Sequence, residues 1–280
     1  MRRTRRASNP LPFLTILTLV LLLALLSPLQ VQAEELAFSS SWLRGTVVVT
    51  YGSQYGTGFW INPSHVATAA HVVSNNPQAV VTVIRGSVRS LGRVVALDAR
   101  NDVAVIYVDN ANAFPKHIFP MARTMPPPTS TIFVIGYPHE LYQVLGSIEV
   151  LSENPRALRT SLTWAANGLI ELGGIVDAGN SGGPVTDSMG NVIGVVSFAL
   201  RGTAGVMYFA TSAASLRALC DRHGIAYVEG VSSAIAALED NPALVAAATA
   251  AATNVVVDVL LVALGAGVGV ALASKRRKKG

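Results

Sequence analysis

The chain has 280 residues, enough for one medium-sized domain or two small ones. Of its 21 Lys and Arg, four sit in the first six residues and five in the last six; all 16 Asp and Glu lie between, so the middle is acidic and lacks the basic balance of a nucleic-acid binder. Cys220 is the sole cysteine, which excludes an intrachain disulfide, and no Cys/His set at ligand spacing points to a metal or other cofactor.

The chain opens with a basic head (Arg2, Arg3, Arg5, Arg6), an apolar run from Leu11 to Leu26, and the small-residue stretch Val31-Gln32-Ala33 before Glu34. This three-part layout is that of a secretory signal peptide over residues 1–33, with an uncleaved membrane anchor as the alternative. Either way the head stays inside and the following chain lies outside.

From Gly45 to about Ala210 the sequence runs in short, β-branched stretches broken by turn residues: GTVVVT, FWI, AVVTVI, VAVIYV, TIFVIG, SIEVL, NVIGVVSFAL and MYFA. Such a pattern predicts an all-β barrel or sandwich. Within it, His71 ends the stretch VATAAH, where small neighbours leave room beside the imidazole. Asp102 opens the apolar run DVAVI, and Asp98 is its rival as a partner for that imidazole. Ser181 stands among three glycines in DAGNSGGPV, a stretch readable as a turn or as backbone bared for a ligand. His65, His117, His139 and His223 read as packed or surface imidazoles. Residues 212–222 carry helical spacing, with Cys220 as a core residue on that helix.

Beyond residue 230 the composition turns Ala-rich, which reads as a stalk over 231–254. Residues 255–273 are long and apolar enough for a transmembrane helix, and Lys275–Lys279 place the tail, 274–280, in the cytoplasm. The β-domain, 34–230, is thus expected at the cell membrane on the extracytoplasmic side, inserted through the C-terminal helix.

The order His, Asp, Ser in the contexts TAAH, NDVAV and GNSGGP resembles the trypsin-like serine proteases of the chymotrypsin fold. The branch most like it is the high-temperature-requirement (Deg-type) proteases, here without a PDZ domain; Gly136-Tyr137-Pro138 and Phe209-Ala210 add to the likeness, which spans about Gly45 to Arg222. The resemblance implies two six-stranded antiparallel barrels with a short C-terminal helix and a site in the cleft between the barrels. It implies a serine endopeptidase acting on polypeptides, with Ser181 as nucleophile, His71 as base, Asp102 as its orienter, and the N–H groups of Gly179 and Ser181 as the oxyanion hole. Ile175, Asp177, Ser197, Phe198, Ala199 and Met207 would bind substrate, and the apolar Ile175 implies cleavage after small or medium apolar residues. Asn180 stands where trypsin-type zymogens carry an aspartate, which argues against activation by a newly cut N-terminus. The competing reading is a catalytically silent protease-fold module that presents its cleft for binding. A monomer and a homo-oligomer are both compatible with this sequence.

Overall fold

The computed structural model describes residues 38–203 and 205–230, so the expected leader, stalk, membrane helix and basic tail lie outside the described residues. The chain divides into units 1–231 and 232–280, and every described residue belongs to the first. Among the described residues no helix is long and apolar enough to cross a membrane.

The described residues form two closed antiparallel barrels. The first contains β1 (Thr46–Tyr51), β2 (Gln54–Trp60), β3 (His65–Thr68), β4 (Val80–Arg85), β5 (Val88–Asp98) and β6 (Val103–Val108), hydrogen-bonded in the order β1-β2-β3-β6-β5-β4. The second contains β7 (Thr131–Gly136), β8 (Arg156–Ala166), β9 (Leu169–Leu172), β10 (Pro184–Thr186), β11 (Val192–Gly202) and β12 (Gly205–Ser212), in the order β10-β11-β12-β9-β8-β7. Three helices follow in chain order: α1 (His139–Leu145) and α2 (Ile148–Glu153) between β7 and β8, and α3 (Ala213–Arg222) at the end.

Several strands are apolar on both faces because both faces are covered. Val47 and Val49 of β1 pack inside the first barrel, whereas Val48 between them packs with Ile84, Tyr137 and Leu151. Likewise Trp60 belongs to the first barrel's interior, while Phe59 and Ile61 join Phe133, Ile135 and Val195 of the second barrel and Leu216, Leu219 and Cys220 of α3. That shared layer holds the barrels together. Cys220 is fully buried in it, and burial with nearby Asp221 pushes its thiol up to about 12, so it stays protonated and inert.

One expected strand is a helix. The stretch SIEVL lies at the start of α2, because Ser147 accepts from the Val150 N–H and caps it, just after Gly146 ends α1 with a left-handed turn. A short alternating apolar run cannot tell strand from helix when a capping serine precedes it.

Tyr137, just past the end of β7, ties the second barrel to the first. Its hydroxyl, fully buried, donates to the Thr46 carbonyl at 3.0 Å and accepts from Arg85 Nη1 at 2.5 Å. Tyr137→Phe keeps the ring and strips those bonds. It is expected to lower the unfolding free energy by about 1–3 kcal/mol, read as the urea midpoint of the isolated β-domain; an unchanged midpoint would show the hydroxyl to be dispensable.

Candidate active site

His71 lies just beyond β3, on a 3-10 turn, Ala70–Val73, which lifts its ring out of the barrel wall. Its Nδ1 hydrogen-bonds the Asp102 carboxylate, 2.9 Å to Oδ2 and 3.1 Å to Oδ1, and its backbone N–H donates to Oδ1 at 2.9 Å. Asp102 adopts a left-handed conformation, φ 53°, at the entry to β6. The residue before it is held from the second barrel, where Thr211 Oγ1 donates to the Asn101 carbonyl at 2.7 Å. Asp98 does other work: its carboxylate accepts from the backbone N–H groups of Arg100 and Asn101 and from the side chains of Asn101 and Arg222. It shapes the loop that delivers Asp102.

Ser197 Oγ donates a short hydrogen bond to Asp102 Oδ2. Expected to line the substrate pocket, this serine instead completes the carboxylate's hydrogen bonding. A bulge in β11 redirects it: the ladder pairs Val196 with Ala210 and then Ala199 with Tyr208, so Ser197 and Phe198 share one opposite residue, Phe209. Burial alone would raise the Asp102 pKa. The hydrogen bonds from His71 and Ser197 and the nearby imidazole outweigh that, and its carboxyl sits below the usual carboxylate range.

The loop bearing Ser181 has every carbonyl from Ala178 to Ser181 bound. His139 N–H donates to Ala178 O at 2.7 Å, Thr57 Oγ1 to Gly179 O at 2.7 Å, Gly183 N–H to Asn180 O at 2.8 Å, and Thr57 N–H to Ser181 O at 2.8 Å. In a trans peptide the N–H points opposite to the carbonyl. The Gly179 and Ser181 N–H groups are therefore turned away from the groups that hold Ala178 O and Asn180 O. Among the described residues neither has an acceptor. Gly179 and Gly182 have φ of 90° and 83°, and a Cβ would fall on Tyr137 O at the first and on Thr57 O and Thr68 Oγ1 at the second. Only glycine fits there.

A cleft cavity of about 660 Å³ is lined by His71, Gly179 and Ser181, so imidazole, bare N–H groups and hydroxyl share one space. No hydrogen bond joins Ser181 Oγ to the imidazole here; such contacts commonly tighten only in a substrate complex.

A neighbouring cavity of about 580 Å³ is lined by Ile175, Val176, Asp177, Ala199, Val206 and Tyr208, with Glu140, Arg156 and Arg201 also contributing. Ile175, Asp177 and Ala199 thus share one cavity, although Ile175 is 78% exposed and forms a rim, not an enclosed wall. Met207 does not line it: strand alternation turns Val206 and Tyr208 inward and Met207, opposite Leu200, outward. Phe198 stacks on Phe209 at 5.1 Å and lines a smaller cavity beside Asp102. The lining is not the purely apolar one that Ile175 implied, since four charged residues border it. Asp177 Oδ2 accepts from Glu140 N–H in the first turn of α1 at 2.9 Å, so that carboxylate is engaged. The sequence reading also passed over His139 and Tyr55, whose side chains hydrogen-bond each other in the cleft at 3.2 Å.

Two tests follow from these contacts. Thr57 is fully buried, and its hydroxyl also accepts from Tyr137 N–H at 3.1 Å. Thr57→Val, which strands two buried backbone groups, is expected to cost about 1–3 kcal/mol in urea unfolding, and Thr57→Ser much less; equal losses would assign the effect to the methyl group. The lowered Asp102 carboxyl has a definite pH signature. Its stabilisation is present above the unfolded value of about 4 and disappears as pH falls through the lower folded value. The gap in Tm between the native protein and Asp102→Asn should therefore close on acidification, and a gap constant from neutral to strongly acid pH would refute this.

A family model described as trypsin-like peptidase domain matches residues 56–195, half of the 280-residue chain and inclusive of His71, Asp102 and Ser181. Serine protease Rv3671c of Mycobacterium tuberculosis is 32% identical over 155 residues, which are 50% of this chain and 35% of that protein. Serine protease HTRA1A of Danio rerio is 27% identical over 154 residues, 55% of this chain and 31% of that protein. The chain thus spans about a third of the length of these relatives. The crystal structure of the Rv3671c protease in an inactive form aligns at a TM-score of 0.53 and 25% identity, covering 66% of this chain and 91% of that one. With two closed six-stranded barrels, a His–Asp pair on one and a glycine-bracketed serine on the other, this chain belongs to the trypsin-like peptidase domain family.

Proposed function

We propose that the chain is a membrane-anchored serine endopeptidase working outside the cytoplasm. The observation that carries the reading is the meeting of the His71–Asp102 pair, the Ser181 hydroxyl and two acceptor-free N–H groups in one cleft. Ser181 Oγ attacks the scissile carbonyl carbon while His71 takes its proton. The developing oxyanion receives the N–H groups of Gly179 and Ser181, donors of this kind being worth on the order of 3 kcal/mol each in the transition state. His71 then returns the proton to the leaving amine, and water releases the acyl group from Ser181 by the same route. Asp102 stays ionised throughout and holds Nδ1–H, so that Nε2 faces the reaction.

Substrate would add as a strand to β11. On the side away from β12, β11 pairs with β10 only as far as Val195, and two further bonds link Val196 to Gly182 and Gly183. Past that point the edge has no partner among the described residues, as strand addition requires. The side chain before the scissile bond would enter the cavity of Val176, Ala199, Val206 and Tyr208, which favours small or medium apolar groups. Lys or Arg there would meet Arg156 and Arg201 against the single carboxylate of Glu140, with Asp177 already engaged. The membrane reading rests on the apolar run 255–273, the basic tail and the leading segment.

A membrane-impermeant fluorophosphonate applied to intact cells tests both parts. Labelling of the native chain is expected, with none in Ser181→Ala. His71→Ala should slow it by several orders of magnitude, Asp102→Asn should slow it severely, and Asp98→Asn should leave it nearly unchanged. Labelling that appears only after lysis would overturn the location. No labelling even then would leave the silent binding module as the reading.

A further inference from the structure

The cleft has a second half that the acyl pocket does not use. Away from Ala199, the 660 Å³ cavity is floored by three rings: Tyr55 at the start of β2, and His139 and Tyr142 of α1. Tyr55 and His139 lie nearly parallel, 25° apart with centroids at 5.9 Å, while Tyr142 tilts against Tyr55 at 5.4 Å. The Tyr55–His139 hydrogen bond fixes this pair. Burial, Asp177 and Tyr142 together push the Tyr55 hydroxyl well above its ordinary range, so it stays protonated and uncharged.

This floor carries no free charge. The cation lining the cavity, Arg89, is ion-paired with Glu149 of α2, and no carboxylate lines the cavity. Its complement is therefore an uncharged ring, which can stack or pack edge-on against Tyr55 and Tyr142.

The position of His71 says which half of a substrate comes here. In the serine-peptidase reading given above, on which this inference rests, His71 must hand its proton to the leaving nitrogen. His71 lines this cavity and not the one around Ala199, so the leaving half of the chain emerges over the rings. The floor begins at the reaction centre: a Cβ on Gly179 would stand 3.1 Å from Tyr55 Cε2. One extended residue spans about 3.3–3.6 Å, so the first or second residue after the scissile bond reaches the rings.

We propose that Tyr55, His139 and Tyr142 form the subsite for the leaving half of the substrate and select an aromatic side chain within the first two residues after the cleaved bond. The test uses the solubilised full chain and peptides with a constant acyl half. These carry either Phe or Ala in turn at the two leaving positions, and kcat/KM is measured for each. At one of these positions Phe is expected to exceed Ala by about tenfold. That ratio should fall toward unity in Tyr142→Ala and stay depressed in Tyr142→Leu, which keeps bulk without a ring. A ratio of two substrates on one enzyme does not depend on the fraction folded, so a misfolded variant cannot imitate the result. Equal rates for Phe and Ala in a native chain that fluorophosphonate labels fully would overturn the subsite and leave the peptidase reading standing. A native chain that resists the label would overturn both.

Discussion

The site depends on one constraint: the carbonyls of residues 178–181 are all held by hydrogen bonds. Because a peptide plane is rigid and trans, holding Ala178 O and Asn180 O fixes where the Gly179 and Ser181 N–H groups point. Two of the four bonds come from Thr57, a residue of the other barrel, and one from the first residue of α1. The first barrel therefore holds the Gly179 and Ser181 carbonyls of this loop through Thr57. The barrel–barrel layer of Phe59, Ile61, Phe133, Ile135 and Val195 thus bears on the geometry of this loop as well as on stability.

The traffic runs the other way at Asp102. That residue belongs to the first barrel, yet Thr211 holds the carbonyl before it and Ser197 occupies one of its oxygens, both from the second. A buried carboxylate stays ionised only if hydrogen bonds replace the lost water. Three donors meet the two oxygens here: the ring and backbone N–H of His71, and the Ser197 hydroxyl. The bulge at Ser197–Phe198 that supplies the third donor also flips the strand's alternation, turning Ala199 and Arg201 toward the cavity of Val176 and Tyr208. One extra residue in β11 therefore serves the carboxylate and the pocket together.

Much of this was legible in the sequence, and for physical reasons. VAVIYV and TIFVIG coincide with β6 and β7 because strands covered on both faces must be continuously apolar. His71, Asp102 and Ser181 were legible because small residues, an acid heading an apolar run and crowded glycines each break a local rule. Other parts were not. β8 is largely exposed and carries arginines at both Arg156 and Arg159, so its place in a closed barrel leaves little periodic signal. Whether Ser197 points at substrate or at Asp102 depends on a bulge, and a bulge changes register without changing composition. Met207 was misplaced for the same reason, since register decides facing and a one-residue slip reverses every side chain. His139 and Tyr55, 84 residues apart, meet only because the segment carrying α1 packs against the start of β2.

The two halves of the cleft are built from different material, and this bears on how the molecule can be tuned. On the reading proposed above, the acyl side is made by the β11–β12 hairpin, the residues before Ser181, the start of β8 and Glu140 in the first turn of α1. The leaving side is made by α1, by the beginning of β2 and by Arg89 of β5, so it straddles both barrels. These walls meet at the Ala178–Gly179 peptide, whose carbonyl α1 itself holds through the His139 N–H. A change in the β11–β12 hairpin can alter acyl preference without disturbing that peptide. A change in α1 cannot be so confined, because that helix borders both cavities and its first N–H also holds the Ala178 carbonyl. On the peptidase reading proposed above, selectivity after the cleaved bond would therefore be coupled to catalytic competence, whereas selectivity before it could vary through the β11–β12 hairpin.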